Sequence, residues 1–228
     1  MSKNSFFPNA EDVFYENVEE HAEFLLPLLS VNAADFLEGE HGDLHFVLPL
    51  EPFDCLGLET KQYHNYYCRT NWVAYKLIDN KLSFLTDFNF FQKKYITTHS
   101  DYKETFSGVE SYLSGLPIDL ENEFTKLKTQ YNKMKEHKDS VNSDKVFKYF
   151  HNPYEYIYDT FPTTESSDRI SIPLTKDGRP FIYIGTIDVC DFYIPSEEGK
   201  WHSLDTGACI IMYYDPQEKI ILNTFFGS

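Results

Sequence analysis

Between residues 119 and 137, Leu120, Phe124, Leu127, Tyr131 and Met134 step by 4, 3, 4 and 3 positions. That is the spacing of one narrow apolar seam along an α-helix. Lysines crowd the late part of the stretch, where cations favour a helix C-terminus. With fewer than three heptads the seam is too short for a free coiled coil, so it reads as a helix docked on the chain's own sheet. The sequence on either side has a different period. Tyr63, Tyr66, Tyr67, Trp72, Val73 and Tyr75 before it, and Phe181, Tyr183, Gly185, Ile187 and Val189 after it, are strand-forming or alternate with period two. Strand runs segregated from helix runs specify an α+β fold with a mainly antiparallel sheet. No repeat or long linker divides the 228 residues. The expectation is one domain: an acidic helical segment over 1–40, a helical insertion near 100–150, and a β-rich part over 154–228.

Within that frame, Val13, Phe14, Val18, His21, Ala22, Leu25 and Leu26 recur near helical spacing behind Glu11 and Asp12. They predict a helix over 11–29 that Pro27 ends or kinks. A short helix over 32–38 closes at Gly39, and Asp43–Leu48 reads as a strand stopped by Pro49. Strands over 72–78 and 81–86 flank Asp79-Asn80, residues that tolerate the positive φ of a two-residue hairpin turn. A helix is expected over 101–114, ending at Gly115, and another over 144–150. Tyr154, Tyr156 and Tyr158 alternate as in a strand. Ile170–Leu174 leads into a Thr175–Gly178 turn, and Ala208–Tyr214 and Ile220–Phe226 form a hairpin around a five-residue loop.

Charge is distributed unevenly. Lys+Arg is 20 and Asp+Glu is 36, giving a net charge of −16. Residues 1–60 hold 13 acids against one base, Lys3, a net −12. A field of that sign repels phosphate backbones and anionic lipid, which argues against nucleic-acid or membrane-surface partners and allows a basic protein or a divalent cation. No apolar run approaches the roughly 20 residues that span a bilayer, and Met1–Pro8 lacks the apolar core of a secretory signal. The expected location is cytoplasmic. In that reducing compartment Cys55, Cys68, Cys190 and Cys209 are expected as small buried hydrophobes rather than disulfide partners.

Candidate chemistry is sparse. Glu38, Glu40, His41, Asp43 and His45 cluster in sequence, and on an extended segment His41, Asp43 and His45 share one side. Imidazole and carboxylate suit zinc or a similar ion, although the spacing is neither HExxH nor that of an EF-hand. Cys55, His64 and Cys68 lack the paired CxxC spacing of zinc sites. Arg69 could lower the Cys68 thiol pKa, yet four residues along a strand place His64 about 13 Å from it, too far for a catalytic dyad. Asp188 and Asp191 offer a carboxylate pair, a weak signal among 36 acids. No P-loop, GxGxxG, GxSxG or SxxK occurs. No cofactor is expected, and the balance leans against an enzyme.

The stretch Asp177-Gly178-Arg179-Pro180-Phe181-Ile182-Tyr183-Ile184-Gly185-Thr186-Ile187-Asp188-Val189 resembles the bacterial YwqG-like family of unknown function. Members of that family carry a Gly-x-Pro turn, an apolar strand and a Gln-Ile pair. Thr186-Ile187 stands here in the place of the pair. Gly207–Tyr214, before Asp215, resembles the family's later apolar strand. The resemblance covers about 50 residues. It implies a bacterial α+β protein and transfers no catalytic residue.

Acidity and aromatic strands together fit a non-enzymatic protein-binding module such as a toxin-neutralising immunity protein. Opposite charge speeds encounter with a basic toxin, and buried aromatics then hold the complex. The expected contact residues are Glu38, Glu40, Asp43, Asp54, Glu59, Tyr63, Tyr66 and Tyr67. The alternative is a metal-assisted hydrolase built on His41, Asp43 and His45.

Overall fold

The computed structural model describes residues 4–52, 56–98, 116–153, 161–166, 170–195, 201–204 and 206–227. Two antiparallel sheets organise it. The smaller has the order β1-β2-β3, from Ser5–Phe6, Leu25–Asn32 and Asp43–Pro49. The larger has the order β5-β4-β12-β11-β8, from Lys81–Phe84, Trp72–Ile78, Ile220–Gly227, Ala208–Asp215 and Ile182–Asp188. Short pairs β6–β7 (Thr163–Glu165, Ser171–Pro173) and β9–β10 (Tyr193–Pro195, Trp201–Ser203) complete the described strands. With helices packed against antiparallel sheets, the chain is the α+β domain expected from its sequence.

The largest departure from the sequence pattern is at residues 25–29. The helix expected over 11–29 is two short helices, α1 (Ala10–Val13) and α2 (Val18–Phe24), and the chain then turns directly into β2. Leu25-Leu26-Pro27-Leu28-Leu29 is buried on both faces because β2 is the central strand of a covered sheet. A strand buried on both faces is continuously apolar and carries no period that separates it from a helix. Pro27 is accommodated where the β2–β3 register shifts, between Pro27 and Leu29, the kind of irregularity where a residue without an N–H is tolerated. The helix expected over 32–38 is one 3-10 turn, Ala33–Asp35, with the Asn32 side chain accepting the Ala34 N–H at 2.8 Å.

The Asp79-Asn80 hairpin forms as expected, with φ of 50° and 62°. So does the β11–β12 hairpin, paired from Ala208–Gly227 to Asp215–Ile220. The seam helix is α4, Leu116–Glu136, preceded in the chain by α3 (Gln92–Thr98). Phe124, Leu127, Tyr131 and Met134 are all buried, and Tyr131 Oη donates to the Pro27 carbonyl at 2.9 Å, locking α4 over β2. A short helix α5, Ser143–Val146, follows. The helix expected over 101–114 and the alternation at Tyr154, Tyr156 and Tyr158 lie outside the described residues. The two sheets share one continuous apolar cluster with α4. Phe150 joins them: its ring lies 5.6 Å from Phe46 of β3 and presses on Gly185 of β8, where a Cβ would meet it at 2.4 Å.

Candidate functional site

Several acids of α1, the turn after it, α2 and the start of β3 face solvent. Glu11 and Asp12 on α1, Glu16 on the linking turn, and Glu19 and Glu23 on α2 are exposed. Asp43, also exposed, opens β3, and Asp12 and Asp43 both act electrostatically on His45, which brings α1 beside the start of β3. Glu16, Glu20 and Asp87 line a cleft of about 360 Å³, where Lys94 pairs with Glu20 at 3.1 Å. Helices this short present side chains without much intrinsic stability. They are held by their packing: Val13, Phe14 and Phe24 are buried, and the Phe24 ring stacks on Phe91 at 5.1 Å.

The expected contact residues divide. Glu38, Asp43 and Glu59 are exposed. Glu40 is drawn inward, accepting from Lys219 Nζ at 2.7 Å and from Tyr214 Oη at 3.2 Å. Asp54 lies outside the described residues. The tyrosines pack inward rather than forming an open strand face. Residues 61–63 are a 3-10 turn and 64–71 a loop, and Tyr63 packs edge-on against Tyr95 at 5.9 Å. Tyr66 Oη donates to the carbonyls of Leu174 and Thr175 at 3.1 and 2.9 Å, and Tyr67 Oη accepts the Lys176 N–H at 3.2 Å. Both phenols thus clasp the Thr175–Gly178 turn. Arg179 ties that turn to the β11–β12 hairpin through a two-pronged pair with buried Asp215, at 2.7 and 3.0 Å.

His41, Asp43 and His45 do not converge on a metal site, and no cluster of three metal-ligating side chains exists among the described residues. His41 and Asp43 face solvent, whereas His45 is buried. Its Nε2 lies 2.8 Å from the Asn80 carbonyl, an acceptor only, so Nε2 carries the proton. Nδ1 then accepts from Ser30 Oγ at 2.7 Å, which leaves no lone pair for a cation. Burial lowers the His45 pKa and keeps the ring neutral. His21 is arranged in the same way, with Nδ1 donating to the Asn17 carbonyl and Nε2 accepting the Phe84 N–H; burial lowers its pKa too.

Cys68 is fully buried and its thiol is pushed up to about 12 by burial, so Arg69 does not make it a thiolate. His64 donates from Nε2 to the Gly57 carbonyl at 2.7 Å. Cys55 lies outside the described residues. Asp188 caps the following turn by accepting the Cys190 N–H at 2.9 Å, and partial burial beside Asp188 raises the pKa of Asp191.

The sequence reading did not single out Glu51. It follows β3 in Leu48-Pro49-Leu50-Glu51-Pro52 and is 3% exposed. Oε1 accepts the Gln92 N–H at the start of α3 at 2.9 Å, while Oε2 has no hydrogen-bond partner. Burial raises its pKa from 4.5 to about 8. Glu51 lines a cavity of about 210 Å³ at one end of the inter-sheet space, walled by Leu48, Leu50, Ala208 and Phe225 and roofed by Leu127 and Gln130 of α4. The legible signal was an acid set in an apolar run between two prolines. The α2 acids were also legible, since Glu19 and Glu23 are spaced i, i+4 for one helix face.

No family model matches the chain, no curated protein matches its sequence, and no solved structure matches its fold. Among the described residues no helix is long and apolar enough to cross a membrane.

Proposed function

We propose that the chain is a non-enzymatic protein-binding module of the bacterial cytoplasm, which uses an acidic face to take a basic protein. Neutralisation of a toxin by an immunity protein is the concrete example. The observation that supports this reading is the exposed run Glu11, Asp12, Glu16, Glu19 and Glu23 beside Asp43, with an acidic cleft at its edge. Acids gathered on one side of a molecule focus a negative potential and raise the encounter rate of a positively charged partner. Glu38 and Glu59 are exposed as well. Tyr66 and Tyr67 are assigned to internal support of the Thr175–Gly178 turn, so lasting affinity must come from other contacts.

Co-purification from the source cell at low and at high salt tests the reading. The expected result is a basic protein retained at low salt and associating more slowly as salt rises. Recovery of the chain alone at low salt, from cells that express the toxin encoded beside it, would remove the basis for the proposal.

A further inference from the structure

A groove of about 200 Å³ runs between α4 and the passage from α2 into β2, and it shares no lining residue with the cleft at Glu16, Glu20 and Asp87. Its apolar side is formed by Ala10 and Ala22, both half-buried, with Leu25, Leu26 and Pro27 beneath them. Its polar side is one flank of α4. Lys128, Asn132 and Lys135 stand four and three residues apart, so they rise along the same flank of the helix. Tyr131 holds the two sides together through its bond to the Pro27 carbonyl. Both lysines are half-buried, and among the described residues neither has an ion-pair partner. The chain has 36 acids, yet no acid is among the described residues that line the groove. Outside it, Lys93, Glu23 and Glu121 act on Lys128, and Lys93 is already paired with Glu121 at 3.0 Å. We propose that this groove binds a short aliphatic monocarboxylate, with the carboxylate on Lys128, Asn132 and Lys135 and the chain against Ala22, Leu26 and Pro27.

The chemistry of the pieces selects that class. Two ammoniums and a side-chain amide are all donors, and a carboxylate offers two oxygens that accept from them with opposite charge. Partial burial lowers the Lys128 pKa, with Lys93 adding to the effect, and a bound anion would offset both. One negative charge suits the place better than two. Glu23 beside Lys128 and the net charge of −16 oppose a multiply charged anion such as phosphate. The aliphatic side of the groove suits an alkyl tail, and its small volume suits a free acid of a few carbons rather than a peptide segment.

The test titrates the full chain, labelled with nitrogen-15, with sodium hexanoate at pH 7 and constant ionic strength, and follows the backbone amide signals. With eight non-hydrogen atoms, hexanoate should bind with a Kd on the order of 1 mM. The shifted signals should centre on residues 22–27 and 128–135. Hexanol, which lacks the charge, should bind at least about tenfold more weakly. Acetate, which lacks the tail, should also bind at least about tenfold more weakly. The double variant Lys128→Gln, Lys135→Gln should lose at least about tenfold in affinity, and its amide spectrum reports whether it is folded. Ala22→Leu fills the apolar side, leaves both lysines in place, and should weaken binding too. Absence of hexanoate binding, equal affinity for hexanol or acetate, inorganic phosphate binding as tightly as hexanoate, or unchanged affinity of either folded variant would overturn the proposal. The groove is lined by none of the exposed acids of the proposed partner face, so failure here is distinct from failure of that reading.

Discussion

Replacing Glu51 with glutamine should make the protein more stable at alkaline pH and leave it nearly unchanged at acid pH. The carboxyl is held near pKa 8 in the folded chain against an ordinary 4.5, because burial disfavours its charged form. A raised folded value means that the folded state keeps a proton the unfolded state gives up. The corresponding stability is complete below pH 4.5 and is lost as pH rises towards 8. Each pH unit inside that window costs about 1.4 kcal/mol. The loss is therefore about 1 kcal/mol at pH 5 and about 4 kcal/mol at pH 8. Glutamine keeps an acceptor for the Gln92 N–H and cannot ionise, so it removes this dependence. Urea unfolding of both proteins at pH 5 and pH 8 measures it. The variant's advantage should grow by about 3 kcal/mol between the two conditions. A change under about 1 kcal/mol, or one of opposite sign, would refute the assignment of Glu51 as a buried neutral acid.

Other perturbations test the packing. His21 and His45 have lowered pKa values, so the stability they contribute is present above about pH 6.5 and is lost as pH falls through their folded values; melting temperature should drop from pH 7 to pH 5, and His45→Gln should reduce that drop. Arg179→Met leaves the buried Asp215 carboxylate without its cation and should lower the urea midpoint, part of the loss recovered by adding Asp215→Asn. Gly185→Ala drives a methyl into the Phe150 ring and should cost about 1–3 kcal/mol, with Phe150→Leu restoring much of the loss in the double variant.

Elements whose signal is local were legible in the sequence. Asp79-Asn80 named its own turn because both residues accept positive φ. The 4-3-4-3 seam of α4 named its buried face, since a helix covered on one side keeps its period. β2 was not legible, because burial on both faces erases periodicity and Pro27 imitated a helix end. The tyrosines misled for a related reason. Tyr66 and Tyr67 have strand-forming side chains, yet their phenols are used to hold a turn more than 100 residues away, a tertiary partner that no local pattern records. At His45 the spacing to His41 and Asp43 was visible, but Ser30 and Asn80, which occupy both ring nitrogens, were not. For the acidic face, sign and rough location were legible from composition. The grouping of α1, α2 and the start of β3 required the fold.

The central claim is that the position of the acids, and not total charge alone, selects a partner. Two variants of equal net charge separate these possibilities. One carries Glu→Gln at 11, 16, 19 and 23. The other carries Glu136→Gln, Asp139→Asn, Asp144→Asn and Glu165→Gln, exposed acids elsewhere on the chain. Both are used as bait at low salt beside the unmodified chain. The account predicts that the first variant loses the basic partner and the second keeps it. Equal loss by both, or retention by both, would contradict it.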